Sequence, residues 1–251
     1  MQLSQHLIPK LKSLRLSGIL ETLDVRHRQA IEEQLSYVDF LERLLEDEVE
    51  RRSQKQLRLR LRRASFDIEK TLEGFDFGFN PTINRQLIFD LATCHFVERH
   101  ENVLIQGPAG VGKSHLAQAL GHEACRRGYD VIFANASRLL AHLHGGRADG
   151  TYERRLLAYT RPDLLIIDDF GLKALPAPGP EDLYEIVNER YERGSMIVTS
   201  NRAFSEWPEL FGNPLLASAA LDRLADRAHQ VVVTGDSYRS KGRRPTPGRA
   251  A

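Results

Sequence analysis

The sequence has little cysteine and no apolar segment long enough to cross a membrane. Its 251 residues include two cysteines, Cys94 and Cys125, both in segments with a helical pattern. Two such cysteines provide neither a disulfide framework nor a cysteine-rich metal site. The apolar runs are far shorter than the roughly 20 residues that span a bilayer, and no signal-peptide pattern is present. We therefore expect a soluble protein of a reducing cytosol, without a membrane partner.

The charges nearly balance, with a net charge of +1, but they are unevenly distributed. An acidic stretch from Glu42 to Glu50 precedes a basic run, and a second basic segment extends from Tyr238 to the C-terminus. The first run contains Arg51, Arg52, Lys55, Arg58, Arg60, Arg62 and Arg63. It can bind DNA phosphates without reading sequence, or it can be a solvated face that pairs with the acidic stretch. It has no aromatic residue, which argues against stacking on single-stranded DNA.

Composition divides the chain into three parts. The first has leucine-type residues at helical spacing, which predicts a small helical domain. Its basic run makes this domain the expected contact for DNA, other subunits or partners. The second predicts a doubly wound α/β domain, and the third is a basic, flexible tail. We place these parts at residues 1–66, 67–236 and 237–251.

A junction over residues 71–81, TLEGFDFGFNP, precedes the α/β pattern. Its rings, Phe75, Phe77 and Phe79, alternate with glycine and acid, so we expect them to pack on the α/β domain. After it, short apolar runs alternate with amphipathic stretches. The predicted strands are Asn102 to Gln106, Asp130 to Phe133, Leu164 to Asp168, Ser195 to Thr199 and Gln230 to Val233, and the clearest helices are Ser114 to Arg127 and Glu181 to Arg193.

The string GPAGVGKS lies between a predicted strand and a helix, the context that a phosphate-binding P-loop requires. Glycines let the backbone N–H groups surround phosphates, and the helix adds its positive N-terminal end. Lys113 would contact the β- and γ-phosphates of ATP, and Ser114 would ligate Mg²⁺. The predicted ATP-binding residues are Gly107, Pro108, Ala109, Gly110, Val111, Gly112, Lys113, Ser114 and His115.

Polar groups also follow two later strands. Asp168 can ligate Mg²⁺, while Asp169 can act as a general base or orient the attacking water. Asp169 can instead be an ordinary turn residue before Gly171. Asn201 follows the strand Ser195 to Thr199 and would lie between the attacking water and the γ-phosphate if that strand separates the P-loop strand from the aspartate strand. By itself, a Ser-Asn pair after a strand is typical of a turn.

Together these motifs resemble those of AAA+ ATPases. GPAGVGKS, LLIIDDFG, VTSN and LDRL occur in this order. The longer phrases ERYERGSMIVTSNRAFSEW, ALDRLADRAHQ and GDSYRSKG are similar to those of the IstB-like transposition helper proteins and their relative, the helicase loader DnaC. The resemblance spans most of the chain and is most specific from Phe75 to Arg239.

The resemblance implies an α/β fold with a parallel sheet of order 5-1-4-3-2, and ATP bound between neighbouring subunits of a homo-oligomer. It also implies that Arg223 of LDRL acts in a neighbour's site as an arginine finger, and that Arg239 senses phosphate. The residues alone leave open that Arg223 pairs with Asp222 or Asp226 on its own helix. Asp169 stands where many AAA+ proteins have glutamate, so we expect slow ATP turnover that DNA or a partner stimulates.

The implied function is ATP-dependent assembly on double-stranded DNA in the bacterial cytosol, remodelling of that DNA, and its delivery to the transposase of the same element. Little sequence follows Arg239, so a helical lid is expected to be absent or minimal. One alternative is a DnaC-like loader that binds a replicative helicase and single-stranded DNA. A small-molecule kinase fits less well, because no acceptor lid is recognisable and Asn201 with Arg223 suits hydrolysis.

Overall fold

The computed structural model describes residues 6–67 and 69–238. They fall into two compact units, divided at the Leu59–Arg60 peptide bond, a few residues before the boundary expected near Phe66. The roles assigned to the three parts of the chain stay predictions. Arg239, the tail beyond Tyr238 and the expectation of a minimal lid lie outside the described residues.

The first unit is built from helices. Three helices occupy this part of the chain: α1 (Leu7–Ser13), α2 (Ser17–Glu32) and α3 (Tyr37–Ala64), of which α3 continues into the second unit. Their shared core consists of Leu11, Ile19, Leu23 and Leu44. Of the leucines whose helical spacing predicted this unit, Leu11 and Leu44 lie in its core, whereas Leu7, Leu14, Leu41 and Leu45 are exposed.

Helices α2 and α3 approach each other closely at Gly18. A Cβ atom there would lie 2.7 Å from the Cα of Glu48, so a larger residue does not fit. The Glu48 carboxylate accepts hydrogen bonds from the N–H groups of Gly18 at 2.6 Å and Ile19 at 3.3 Å, which satisfies amides at the start of α2. Burial raises the pKa of Glu48, but hydrogen bonds from Arg52 and from these amides leave it below its usual value.

The second unit is a layered α/β structure around a five-stranded parallel sheet. Its strands are β1 (Val103–Gln106), β2 (Val131–Asn135), β3 (Leu164–Phe170), β4 (Ser195–Ser200) and β5 (His229–Val232). Its helices are α4 (Arg85–Ala92), α5 (His95–Glu98), α6 (Lys113–Arg126), α7 (Ala136–Asp149), α8 (Tyr152–Thr160), α9 (Gly179–Arg190) and α10 (Pro214–Ala225), with a 3₁₀ helix at Phe204–Leu210. The strand order β2-β3-β4-β1-β5 is the implied order 5-1-4-3-2 counted from the other edge, and the predicted strands are confirmed.

Helices cover both faces of the sheet. Along β3, Leu165 and Ile167 belong to a core cluster with α7, α9 and α10, whereas Ile166 lies against α6, where a Cβ on Gly121 would be 2.7 Å from it. Burial on both faces explains the uninterrupted apolar run that ends in the aspartates. Because all strands are parallel, the carboxyl ends of β1, β3 and β4 meet at one edge of the sheet.

Both cysteines are buried as free thiols. Burial raises the pKa of Cys94 to about 11 and that of Cys125 to about 12, so both stay protonated at neutral pH. None of the described helices is long and apolar enough to cross a membrane.

Candidate nucleotide-binding site

The P-loop connects the carboxyl end of β1 to the start of α6. Gly107 has a φ of +152° and donates its N–H to the carbonyl oxygen of Ser200 at 3.2 Å. A Cβ on Gly107 would lie 1.9 Å from the carbonyl oxygen of Val233, so the loop is wedged between β4 and the segment after β5. Gly112, with a φ of +102°, caps α6 in the left-handed region that favours glycine. The loop therefore makes a tight turn with glycine at its closest contacts, as a phosphate cradle requires.

Lys113 links the P-loop to the neighbouring strand β4. Its side chain is buried, and Nζ donates hydrogen bonds to the Pro108 carbonyl oxygen at 2.7 Å and to Asn201 Oδ1 at 2.6 Å. Strand β4 lies between β1 and β3, which meets the condition on which the predicted role of Asn201 depended. The P-loop lysine and the polar residue after β4 are thus in direct contact.

The two aspartates lie in a β-bulge. The register between β3 and β4 shifts here, so that Asp168 and Asp169 together oppose Thr199. The Thr199 hydroxyl donates to Asp168 Oδ1 at 2.5 Å and accepts from the Asp169 N–H at 3.0 Å. Asp169 has a φ of +57°, and its Oδ2 accepts a hydrogen bond from the Asn135 side chain at 3.2 Å. The bulge thereby directs the two carboxylates to different surroundings from adjacent positions.

These groups surround a cleft of about 510 Å³ at the carboxyl edge of the sheet. The predicted residues that line it are Ala109, Gly110, Val111, Gly112, Lys113, Ser114, His115, Asp169 and Asn201. Asp168 is buried beside the cleft and is connected to it through Thr199. Residues to which the sequence assigned no role in nucleotide binding complete the lining: Lys70, Gly74, Phe75, Asp76, Phe79, Asn80, Leu172 and Tyr238.

The aromatic junction forms one wall of this cleft. A Cβ on Gly112 would lie 2.8 Å from Phe75, whose ring meets His115 edge-on with 5.1 Å between centroids. His115 Nε2 also lies 2.8 Å from the carbonyl oxygen of Thr71. The predicted packing of the junction is confirmed, and His115 ties α6 to the junction while it lines the cleft.

The segment after β5 closes the same wall. The Tyr238 N–H donates to the Gly110 carbonyl oxygen at 2.9 Å, and its ring meets Phe79 edge-on at 4.9 Å between centroids. The Asn80 side chain donates to the Thr234 carbonyl oxygen at 2.6 Å. The alternation of phenylalanine with glycine in the junction was the only sequence signal for this wall.

Arg223 lies near the amino-terminal ends of the strands, on the side of the sheet opposite the cleft. It precedes Leu224 near the end of α10, and the Leu224 carbonyl oxygen accepts a hydrogen bond from the Asn102 side chain at 3.0 Å. Asn102 immediately precedes β1, and the P-loop follows the opposite end of that strand. Arg223 is therefore separated from its own P-loop by the length of β1, roughly 13 Å.

The Arg223 guanidinium is held by neutral groups. It donates to the Ala219 carbonyl oxygen at 2.8 Å and lies 5.7 Å from the ring centre of Tyr184 and 6.0 Å from that of Tyr191. No acid in the described part of the chain lies within 4 Å of it, so the alternative of an ion pair on its own helix is wrong.

The family follows from the sequence of nearly the whole chain. Residues 9–246 match the IstB-like ATP binding proteins. The chain belongs to this family. It is 45% identical over 240 residues to an insertion-sequence ATP-binding protein of Mycobacterium tuberculosis, and the aligned residues cover 95% of this chain and 94% of that relative. It is 40% identical over 238 residues to the ATP-binding protein of insertion sequence IS21 of Pseudomonas aeruginosa, with 95% and 89% covered.

Solved structures similar to this IstB-like protein include those of DnaA and DnaI. AMPPCP-bound DnaA from Aquifex aeolicus has a TM-score of 0.57 at 25% identity, covering 70% of this chain and 54% of DnaA. The structure of DnaI has a TM-score of 0.57 at 20% identity, covering 68% of this chain and 95% of DnaI. The fold is therefore the AAA+ P-loop fold.

Arg190, at the end of α9, is a buried residue of this IstB-like protein that the sequence did not single out. Its guanidinium donates to main-chain carbonyl oxygens at 2.7 to 3.2 Å, those of Tyr159, Thr160, Pro162, Asp163 and Ser195. Burial lowers its pKa to about 10, so it is still charged at neutral pH. Arg190 thereby ties the loop before β3 to the start of β4.

The basic run lies on α3. Its ion pairs are Arg51–Glu21, Arg52–Glu48 and Arg63–Asp130. Within the described residues, Lys55, Arg58, Arg60 and Arg62 have no acid within 4 Å. Only Arg52 pairs with the acidic stretch, so the alternative of a mutually neutralised face does not account for the rest of the run. Helical spacing of three and four places Lys55, Arg58 and Arg62 on one face of α3.

Proposed function

We propose that this IstB-like protein is an ATPase that assembles on double-stranded DNA, remodels it and delivers it to the transposase of the same insertion sequence. The observation that carries the proposal is the division of the ATPase groups. The P-loop, Asp169 and Asn201 line one cleft, whereas Arg223 lies on the side of the sheet opposite that cleft. Each subunit then supplies most of one site and the arginine of the next, which links ATP hydrolysis to assembly.

In this proposal, Lys113 exchanges Asn201 and the Pro108 carbonyl for phosphate oxygens when ATP binds. The P-loop suits this ligand because Gly107 and Gly112 take positive φ values and carry no Cβ of their own, so the main-chain N–H groups can surround phosphate oxygens. Asn201, once released, and Asp169 orient the attacking water, and Asp169 accepts its proton.

Mg²⁺ would bind to the Ser114 hydroxyl and the Asp168 carboxylate. Both are hard oxygen donors of the kind that Mg²⁺ prefers. A bound Mg²⁺ would neutralise part of the negative charge of the phosphates. Thr199 holds the Asp168 carboxylate in a fixed orientation at 2.5 Å, so this ligand needs little reorganisation.

Arg223 is the proposed arginine finger of the neighbouring subunit. Its guanidinium is held by one carbonyl oxygen and two tyrosine rings. Among the described residues no acid pairs with it, so its positive charge is not neutralised. A guanidinium of this kind stabilises the charge that develops on the transferred phosphoryl group. ATPase activity would then require an assembled neighbour.

The DNA contacts that we propose come from the basic face of α3. Lys55, Arg58 and Arg62 are exposed and at helical spacing. Such a row neutralises phosphates and releases counterions without reading bases, which suits a protein that must accept many target sites. The names of the curated relatives place them in insertion sequences, which supports a transposase as the partner.

The test is binding to labelled duplex and single-stranded DNA of equal length, with ATP, ADP or no nucleotide, followed by fluorescence anisotropy over a range of salt. We expect salt-sensitive binding to duplex that appears with ATP and is lost in Lys113→Ala. Preference for the single strand would support the loader alternative. Equal duplex binding by Lys113→Ala would show that nucleotide does not control assembly.

A further inference from the structure

A row of apolar side chains on α3 faces away from the core of the first unit. Val38, Leu41, Leu45 and Val49 are 73%, 54%, 48% and 67% exposed. Their spacing of three, four and four residues places them on one side of the helix. Scattered surface leucines are ordinary, but a contiguous row of four is the pattern of a docking surface. We call these four residues the apolar stripe.

One flank of the apolar stripe is acidic. Glu42, Glu46 and Glu50 follow one another at intervals of four residues and border the same surface groove as the stripe. Among the described residues, no basic group lies within 4 Å of any of the three, while Glu50 accepts a hydrogen bond from Gln54 at 3.0 Å. A surface with an apolar centre and an uncompensated acidic edge fits a partner with the opposite charge.

We propose that the apolar stripe docks an amphipathic helix of a partner protein that has leucine-type residues on one face and lysine or arginine along the adjoining flank. In helix-in-groove binding the docked helix presents apolar anchors at intervals of three and four residues, and the stripe offers it apolar contacts at i, i+3, i+7 and i+11. The docking requires neither ATP nor DNA and therefore stands or falls independently of the proposed ATPase function.

Two occupants from this chain itself fit less well. In an antiparallel pair of two α3 stripes related by a two-fold axis, the rows of Glu42, Glu46 and Glu50 would face each other, and like charges in such a position disfavour pairing. The tail of residues 239–251 has the right charge, but it contains no leucine, isoleucine, valine, methionine or aromatic residue to fill the stripe.

The probe is a synthetic helix of about 18 residues, five turns, with leucine on one face and lysine on the adjoining flank. Its fluorescence anisotropy is followed with the full chain, in parallel with a peptide in which glutamate replaces lysine. The test variants are Leu41→Ser/Leu45→Ser and Glu42→Lys/Glu46→Lys. The matched controls are Leu157→Ser/Leu215→Ser, exposed leucines of the second unit, and Glu153→Lys/Glu209→Lys.

We expect each test variant to lose at least about tenfold in affinity for the lysine peptide while the controls keep it. We also expect the glutamate peptide to bind more weakly and circular dichroism to be unchanged. Equal binding of both peptides, or unchanged affinity in Leu41→Ser/Leu45→Ser, would overturn the proposal. So would a concentration-dependent dimer in analytical ultracentrifugation that Leu41→Ser/Leu45→Ser abolishes, or displacement of the lysine peptide by a peptide of residues 239–251.

Discussion

Lys113 Nζ donates a hydrogen bond of 2.6 Å to Asn201 Oδ1, which joins the P-loop helix to the strand between the P-loop and the aspartates. The same lysine is the one that we propose binds the phosphates of ATP. We therefore expect ATP binding to release Asn201, because the oxygen of Asn201 and those of the phosphates would compete for one ammonium group.

The first prediction concerns Asn201. A carboxylate in Asn201→Asp holds Lys113 with a charge-assisted hydrogen bond, so ATP affinity is expected to fall by about tenfold. Asn201→Ala removes this competing acceptor and is expected to keep ATP affinity while hydrolysis slows by at least about tenfold. Titration with a fluorescent ATP analogue and a phosphate-release assay separate the two effects. If both substitutions weaken ATP binding equally, competition for Lys113 is not the cause.

Thr199 is expected to position the aspartates. Thr199→Val has nearly the same volume but removes the hydroxyl that donates to Asp168 and accepts from the Asp169 amide. We expect hydrolysis to fall roughly tenfold to 100-fold and the Mg²⁺ concentration for half-maximal activity to rise, as for lost groups that orient metal ligands. Thr199→Ser retains the hydroxyl and should restore both. A normal Mg²⁺ dependence in Thr199→Val would limit the residue to a structural role.

Arg223 is expected to act in a neighbouring subunit. Arg223→Ala should lower ATP turnover by roughly 10³-fold, whereas Arg227→Ala, an exposed arginine nearby, should not. Mixing Arg223→Ala with Asp168→Ala subunits should recover part of the activity, since a site with an intact cleft can then receive an intact arginine. Absence of any recovery in the phosphate-release assay, with assembly unchanged, would contradict a role in trans.

The basic face of α3 is expected to set the salt dependence of DNA binding. Each phosphate contact contributes about −0.9 to the slope of log K against log salt, so Arg58→Gln/Arg62→Gln should reduce that slope by about two. Arg138→Gln/Arg193→Gln removes two exposed charges elsewhere and is the matched control. Fluorescence anisotropy at salt concentrations between about 50 and 200 mM gives the slopes, because phosphate contacts change DNA affinity by orders of magnitude over this range. Identical slopes in all three proteins would exclude this face as the DNA contact.

Arg190 is expected to be essential for stability. Arg190→Met leaves several buried carbonyl oxygens without a donor, which should lower the free energy of unfolding by roughly 3 kcal/mol or more. Arg193→Gln, at a side chain 75% exposed, should change it little. Urea unfolding followed by circular dichroism measures both. Similar unfolding midpoints would show that water satisfies the carbonyl groups instead.

Much of the fold had strong local signals. The P-loop string predicted a strand, a glycine turn and a helix, and α6 begins at Lys113, one residue before its predicted start. The uninterrupted apolar run of β3 predicted a strand buried on both faces, although the strand continues to Phe170 through the bulge. The sheet order came from the resemblance to AAA+ proteins, because the periodicity of a strand carries no information about its neighbours.

The sequence by itself determined the glycine-rich string from Gly107 to Ser114, which predicts phosphate binding, and the apolar runs that precede Asp168, Asp169 and Asn201, since these are local patterns of residue type. Only the tertiary structure decided that Thr199 opposes both aspartates and that Arg223 lies at the far edge from its own P-loop. It also placed Asn201 on Lys113, 88 residues away in the chain. Such contacts depend on strand order and on the register of the bulge, which arise from the packing of distant segments and have no local sequence pattern.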